Sequence, residues 1–205
     1  MTNYFVPLAC VALMVSSACA DDKSSTAAKP VAAKPAATAA GAPASYVQTT
    51  GSSLTFTFEQ AGAENRGTFK QFATVLNYDE KNLAASTLSV KVQIASLDTQ
   101  DNDRDTTLAS AELFDTQKFP AATYAANSLV REANGLVALG KLTLRGVTKD
   151  LRVPLAVHTT ATGLELSGEV TIKRLDYGVG QGEWKSTESV GDAVKLQYKV
   201  MLVKR

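Results

Sequence analysis

The chain of 205 residues contains two cysteines, Cys10 and Cys19, both within its first twenty positions. Everything downstream therefore lacks a disulfide, a thiolate nucleophile and a cysteine metal ligand, and its stability rests on core burial. His158 is the only histidine, which removes Ser-His-Asp and Cys-His catalysis and a two-histidine zinc site from consideration. An excess of one charge is missing too. A formal net charge of +1 gives no electrostatic pull on nucleic acid or acidic lipid. Aromatic residues, at 7%, are too sparse for the two interfacial girdles of a membrane-spanning barrel.

The apolar run from Val6 to Val15 is too short to anchor in a bilayer and is followed by small residues, the layout of a cleaved secretory signal over residues 1–20. Two processing routes fit. Ala18-Cys19-Ala20 satisfies the small-x-small rule, with cutting after Ala20. Ser16-Ser17-Ala18-Cys19 resembles a bacterial lipobox, in which Cys19 becomes the lipidated first residue. Residues 21–45 are rich in Ala, Pro, Lys, Ser and Thr and hold no Leu, Ile or aromatic residue. Such a segment cannot bury enough apolar area to offset its ordering entropy, so a disordered tether is expected. Lys29-Pro30 and Lys34-Pro35 favour extended conformations, which at roughly 3 Å per residue reach up to about 70 Å. The expected location is the periplasm, with an outer-membrane tether if Cys19 carries lipid.

Residues 46–205 suit one domain. Its grammar is clearest in the run Gly140-Lys-Leu-Thr-Leu-Arg-Gly-Val-Thr-Lys149 and the residues on either side. Leu136, Ala138, Leu142 and Leu144 form one period-two run, and Leu151, Val153, Leu155 and Val157 another. Arg145-Gly146-Val147-Thr148 links them as the turn of a β-hairpin. The same alternation recurs at Leu54-Phe56-Phe58, across Thr68–Tyr78 with a change of phase near Gln71, and at Leu88-Val90-Val92-Ile94. It is weaker over Tyr124–Val130 and clear again over Leu164–Ile172 and Val194–Leu202. About eight antiparallel strands result, each with an apolar and a polar face, which predicts an all-β, eight-stranded antiparallel barrel. Asp103–Phe114 breaks the pattern: Leu108, Ala111 and Phe114 share one helical face and Asp103 is placed to cap it. This short helix is expected to plug one barrel end.

Three constellations carry chemistry in outline. Asp101, Asp103, Asp105 and Glu112 imitate the acid spacing of a calcium loop, but Thr106 stands where that loop needs glycine, so the acids are expected to start the helix and complement its dipole. Arg174 and Asp176 are placed on one face of a strand, where they pair at the barrel rim. Gly178, Gly180 and Gly182 read as a flexible mouth loop with Trp184 as apolar cover, since no helix pattern follows to cradle a phosphate. His158 is expected at a strand end facing solvent.

From about Ser52 to the C-terminus the sequence resembles the YceI-like proteins, the polyisoprenoid-binding, lipocalin-like periplasmic family of bacteria. The resemblance rests on Gly67-Thr-Phe69, on Arg104-Asp105 with Leu108, Ser110 and Phe114, and on Phe119-Pro120. The Gly140–Lys149 run and Arg174-Leu-Asp-Tyr-Gly-Val179 with Trp184 complete it. It implies a barrel whose apolar interior takes a long isoprenoid of the quinone or polyprenyl type, for binding, storage or transport outside the cytoplasm. It brings no catalytic residue, metal or cofactor beyond the bound lipid, so the chain is not expected to be an enzyme. Phe56, Phe58, Phe69, Val90, Val92, Ile94, Leu142, Leu144, Val153 and Leu155 would line a tube for such a chain. Leu108, Phe114, Tyr177 and Trp184 would complete the set, with Arg174 as candidate head-group contact. The expected partners are an isoprenoid or quinone-like lipid, the membrane through Cys19 and a second copy of the chain in a homodimer, with no nucleic acid. The same alternation also builds a packed barrel, and the alternative function is then a lipidated envelope adaptor acting through protein contacts.

Overall fold

The central hairpin is tighter than its sequence spacing suggests. In the computed structural model, which describes residues 42–205 apart from Asn134, Leu144 pairs with Val147 and Thr143 with Thr148. The turn is Arg145-Gly146 alone, with φ of 48° and 75°. Two consecutive positive φ values make the mirror-image turn whose twist matches the strands it joins. Val147 and Thr148 thus belong to the second strand rather than to the link.

Eleven strand segments occur among the described residues: β1 (Ala44–Gln48), β2 (Ser53–Gln60), β3 (Ala63–Phe69), β4 (Phe72–Tyr78), β5 (Thr87–Gln93), β6 (Leu97–Asp98), β7 (Ala121–Glu132), β8 (Gly135–Leu144), β9 (Val147–Thr159), β10 (Gly163–Lys173) and β11 (Val190–Lys204). β1 begins at Ala44, inside the stretch whose composition suits a tether. The eleven segments form eight lines, because three lines are interrupted. β2 pairs with β3 from Thr55↔Thr68 to Gln60↔Ala63, and β1 continues along β4 from Val47↔Val75 to Ala44↔Tyr78. β3 and β4 are likewise paired with β6 and β5. The change of phase between Phe69 and Phe72 falls at Lys70-Gln71, where Lys70 N donates to Ser96 O and Gln93 N to Gln71 O, each at 3.0 Å. β11 then closes the ring, running along β10 on one edge and along both β1 and β2 on the other. The product is a closed eight-stranded antiparallel barrel, in which β9 and β10 pair only from Thr159↔Leu164 to Ala156↔Ser167.

β7 is longer than its weak alternation suggests. Its inward residues include Ala122 and Ala126, and the register shifts between Ala126 and Ser128. After that shift Leu129, an odd-numbered residue, is the buried one. A bulge exchanges the two faces, so no single period-two pattern fits the whole strand.

The one α-helix among the described residues, α1 (Asn102–Ala109), is shorter than the apolar spacing predicts. Asp101 rather than Asp103 is its N-cap: its carboxylate accepts from the N–H groups of Asp103 and Arg104, each at 3.1 Å. Asp101 has the extended backbone that a cap requires, while Asp103 is already helical. Beyond Ala109 the chain leaves the helix at Ser110, and Phe114 N returns to Leu108 O at 3.0 Å. Leu108, Leu113 and Phe114 still face the barrel, but from a helix followed by turns.

The two barrel ends differ. At the end where β8 starts and β11 finishes, Leu76, Leu129, Leu136, Leu164 and Leu202 are buried in the core and line neither cavity of the barrel, so they act as the plug of that end. At the opposite end, the strands carry Phe56, Phe58, Leu144, Ile172 and Val194, and α1 lies over them.

Candidate ligand cavity

Above the leucine plug the inward side chains do not meet. A cavity of about 410 Å³ lies under α1 and the mouth loop, and a second of about 120 Å³ lies deeper. Leu54, Val92, Ala122, Leu142 and Leu196 belong to the walls of both. The two are therefore neighbouring chambers, stacked along the barrel axis with these five residues forming the throat between them. Ala122 helps to make room here, since a larger residue would extend into the throat.

Three phenylalanines form one wall of the upper chamber. Phe56 lies with its ring centroid 5.0 Å from that of Phe69 and 6.0 Å from that of Phe58. Opposite Phe56 across the β2–β3 ladder is Gly67, where a side chain would overlap the Phe56 ring and the Thr99 methyl. The missing Cβ lets the ring lie back against the sheet and leaves the chamber open. The deeper chamber presents carbon almost throughout. Its two phenols turn away from the space: Tyr124 donates to Ala138 O at 3.0 Å, and Tyr198 donates to Pro154 O. Burial pushes the Tyr124 phenol up to about 12, and that of Tyr198 upward as well.

Most residues expected on the wall are there. Phe56, Phe58, Phe69, Val92, Ile94, Leu108, Phe114, Leu142, Leu144 and Trp184 line the upper chamber. Val90, Val92, Leu142, Val153 and Leu155 line the lower one. Tyr177 lines neither; it is buried in a 3-10 turn over Arg174–Tyr177. Leu54, Ile172, Val194 and Leu196 sit on the inward faces of strands legible from alternation, so the same signal finds them. Ala122 and Leu113 carry no such signal, because one is small and the other lies in an irregular turn.

Arg174 is placed differently from the expectation. β10 ends at Lys173, and Arg174 begins the 3-10 turn, so it shares no strand face with Asp176. Asp176 pairs instead with Lys149 at 3.0 Å. The Arg174 side chain, 4% exposed, spends all its donors on backbone carbonyls. Nε donates to Gly191 O (3.0 Å), Nη1 to Val179 O (3.0 Å) and Trp184 O (2.7 Å), and Nη2 to Ser186 O (3.1 Å) and Val190 O (2.8 Å). A guanidinium has five N–H groups, and none is left for a head group. Burial lowers its pKa, while nearby Asp192 favours the charged form.

The guanidinium thereby organises the mouth loop between β10 and β11. Gly180, at φ 113°, passes so close that a side chain there would overlap it. Gly180 N and Gln181 N donate to Glu112 O at 3.1 and 2.7 Å. Arg145 Nη2 reaches Ala111 O at 2.7 Å. The glycine loop, expected as a flexible cover, is thus bonded to the segment that follows α1, and Trp184 looks from it into the upper chamber. Two of the four acids of the calcium-like spacing are engaged locally: Asp101 caps α1, and Asp105 accepts from Thr99 N and Oγ1 at 2.9 and 2.6 Å. His158 is exposed near the end of β9.

The profile of the YceI-like domain matches residues 46–202. The chain belongs to the YceI-like family. It is 43% identical over 115 residues to the protein YceI of Salmonella arizonae, a stretch that covers 52% of this chain and 60% of that relative. Among solved structures, Burkholderia cenocepacia BcnA superposes with a TM-score of 0.69 at 28% identity, covering 73% of this chain and 94% of BcnA. A polyisoprenoid-binding domain from Saccharophagus degradans, implicated in plant cell wall breakdown, gives a TM-score of 0.64 at 17% identity, over 80% of this chain and 99% of that domain. At that identity the likeness speaks for the YceI-like fold alone.

Proposed function

We propose that this YceI-like barrel binds the apolar chain of an isoprenoid lipid, outside the cytoplasm, as a carrier or store rather than as an enzyme. The observation that carries the reading is the pair of apolar chambers stacked above a leucine plug. A thin hydrocarbon chain fits such a space end-on, with its tail toward Val153 and Leu155 and its head near α1 and Trp184. Each methylene-sized group removed from water contributes about 0.8 kcal/mol, so a few isoprene units suffice for tight binding without a charged contact. Membership of the YceI-like family and the polyisoprenoid-binding relative of the same fold support the choice of lipid. The signal-like residues 1–20, Cys19 and the tether as far as residue 41 lie outside the described residues; their sequence supports an extracytoplasmic carrier on a leash, lipidated at Cys19.

The test is organic extraction of protein purified gently from its own envelope, followed by mass spectrometry. An isoprenoid released in near-stoichiometric amount is the expected result, and an empty extract overturns the reading. Replacing Cys19 by serine should move the protein from the membrane to the soluble envelope fraction; unchanged fractionation would remove the lipid anchor from the account.

A further inference from the structure

The ring of strands is held unevenly. The β9–β10 ladder ends at Ala156↔Ser167, although β9 runs from Val147 and β10 runs on to Lys173. Continuing its register would bring Glu169 opposite Pro154. Proline has no backbone N–H to give to a ladder, and the pairing stops short of it. Residues 147–155 and 168–173 therefore border a seam with no backbone ladder across it.

One side-chain bond spans the seam in the ladder's place. Tyr198 on β11 stands opposite Gly168 of β10, and its hydroxyl donates past Gly168 to Pro154 O on β9. A Cβ at Gly168 would overlap both that hydroxyl and the carbonyl, so glycine makes the passage that the phenol uses. Farther along the same line, Lys149 of β9 pairs at 3.0 Å with Asp176 in the turn after β10. Both side chains are largely exposed, and such a pair contributes little. Behind the seam lies the ligand space. Leu151, Val153 and Leu155 from β9 and Leu166 and Val170 from β10 line the deeper chamber, and Ile172 of β10 lines the upper one.

The two barrel ends are closed more firmly. Leucines plug one. At the other, the mouth loop is fixed by the five carbonyl bonds of Arg174 and by the Gly180, Gln181 and Arg145 links to the segment after α1. Of the polar contacts among the described residues, parting the seam breaks one phenol bond and one exposed ion pair.

Resting on the isoprenoid reading above, we infer that the β9–β10 seam is a lateral door through which the lipid chain enters and leaves the barrel sideways, with Tyr198 as its latch on Pro154. A thin chain moving sideways through the seam reaches both chambers at once, whereas one entering at the mouth must thread past Trp184 and the bonded loop.

The experiment follows farnesol entering and leaving the delipidated full chain by stopped-flow fluorescence of Trp184, the only tryptophan, which lines the upper chamber. Tyr198→Phe removes the latch and keeps the ring; it should raise the association and dissociation rates together, by about fivefold. Pro154 is exposed and lines neither chamber. Pro154→Val restores the missing N–H, so the ladder can extend; both rates should fall by a similar factor while the dissociation constant stays unchanged. Arg145→Ala, which releases the segment after α1 from the central hairpin, should leave both rates as they are. Exchange that Tyr198→Phe does not speed, that Pro154→Val does not slow, or that Arg145→Ala speeds overturns the door while leaving the isoprenoid reading intact. If farnesol does not bind at all, the isoprenoid reading itself falls, and the door with it.

Discussion

At the scale of single residues, Arg174 and the buried phenols set the physical limits of the site. A buried guanidinium is tolerable only when each donor has a partner, and here five backbone carbonyls depend on it in return. Arg174→Met is expected to cost more than about 3 kcal/mol, because the carbonyls lose their donors and the mouth loop loses its centre. Arg174→Lys should recover little, since an ammonium has three donors and no planar fork. Urea unfolding of the two variants tests this, and near-wild-type stability of either would contradict the structural role. The phenols give a pH signature. Burial raises the pKa of Tyr78, Tyr124, Tyr177 and Tyr198 above the ordinary value of 10.0, that of Tyr124 to about 12. The folded state thus holds protons that the unfolded chain releases. Stability is fully present below pH about 10 and falls as pH rises toward 12. Denaturation midpoints between pH 9 and 11.5 should show that decline, and Tyr124→Phe should flatten it.

At the scale of elements, β2 and β3 show how the backbone makes the void. Gly67 stands opposite Phe56 and is the reason the ring can lie against the sheet. Gly67→Val is expected to push the Phe56 ring into the upper chamber and weaken isoprenoid binding by tenfold or more, with a stability loss of about 1–3 kcal/mol from overpacking. Binding measured beside thermal unfolding separates the two effects; unimpaired binding would place the ligand elsewhere. The elements also show what alternation can and cannot reveal. Leu88–Ile94, Leu136–Leu144 and Leu151–Val157 are legible because their apolar residues keep one phase between clear turns. β7 is faint because Ala122 and Ala126 are small and a bulge at Asn127 inverts the phase. The Asp103 cap fails for a related reason: a cap is defined by its own extended backbone, and spacing alone cannot choose between Asp101 and Asp103. Arg174 reads as a rim residue because the strand pattern shows nothing of a 3-10 turn that carries the side chain inward to the carbonyls of the loop that follows it.

At the scale of the whole molecule, alternation shows which residues point inward but not whether they touch. Filling depends on the summed volumes of side chains from eight lines, on the phenylalanine wall and on Ala122, none of which a local period encodes. The throat is the point of greatest leverage, since Val92 belongs to both chambers. Val92→Trp should separate them, shortening the longest tail the barrel accepts while leaving shorter isoprenoids able to enter under Trp184. A series of isoprenoid alcohols of increasing length tests this: wild type should gain affinity with length beyond the point at which the variant stops gaining. Parallel length profiles would mean that the deeper chamber takes no part.

The most direct measurement is a crystal structure of the protein isolated from its native envelope without detergent extraction. The account predicts continuous ligand density from the rim near Arg104 and Trp184, through the throat at Val92 and Leu142, to Val153 and Leu155. Chambers collapsed upon themselves, or filled only by ordered water, would contradict it.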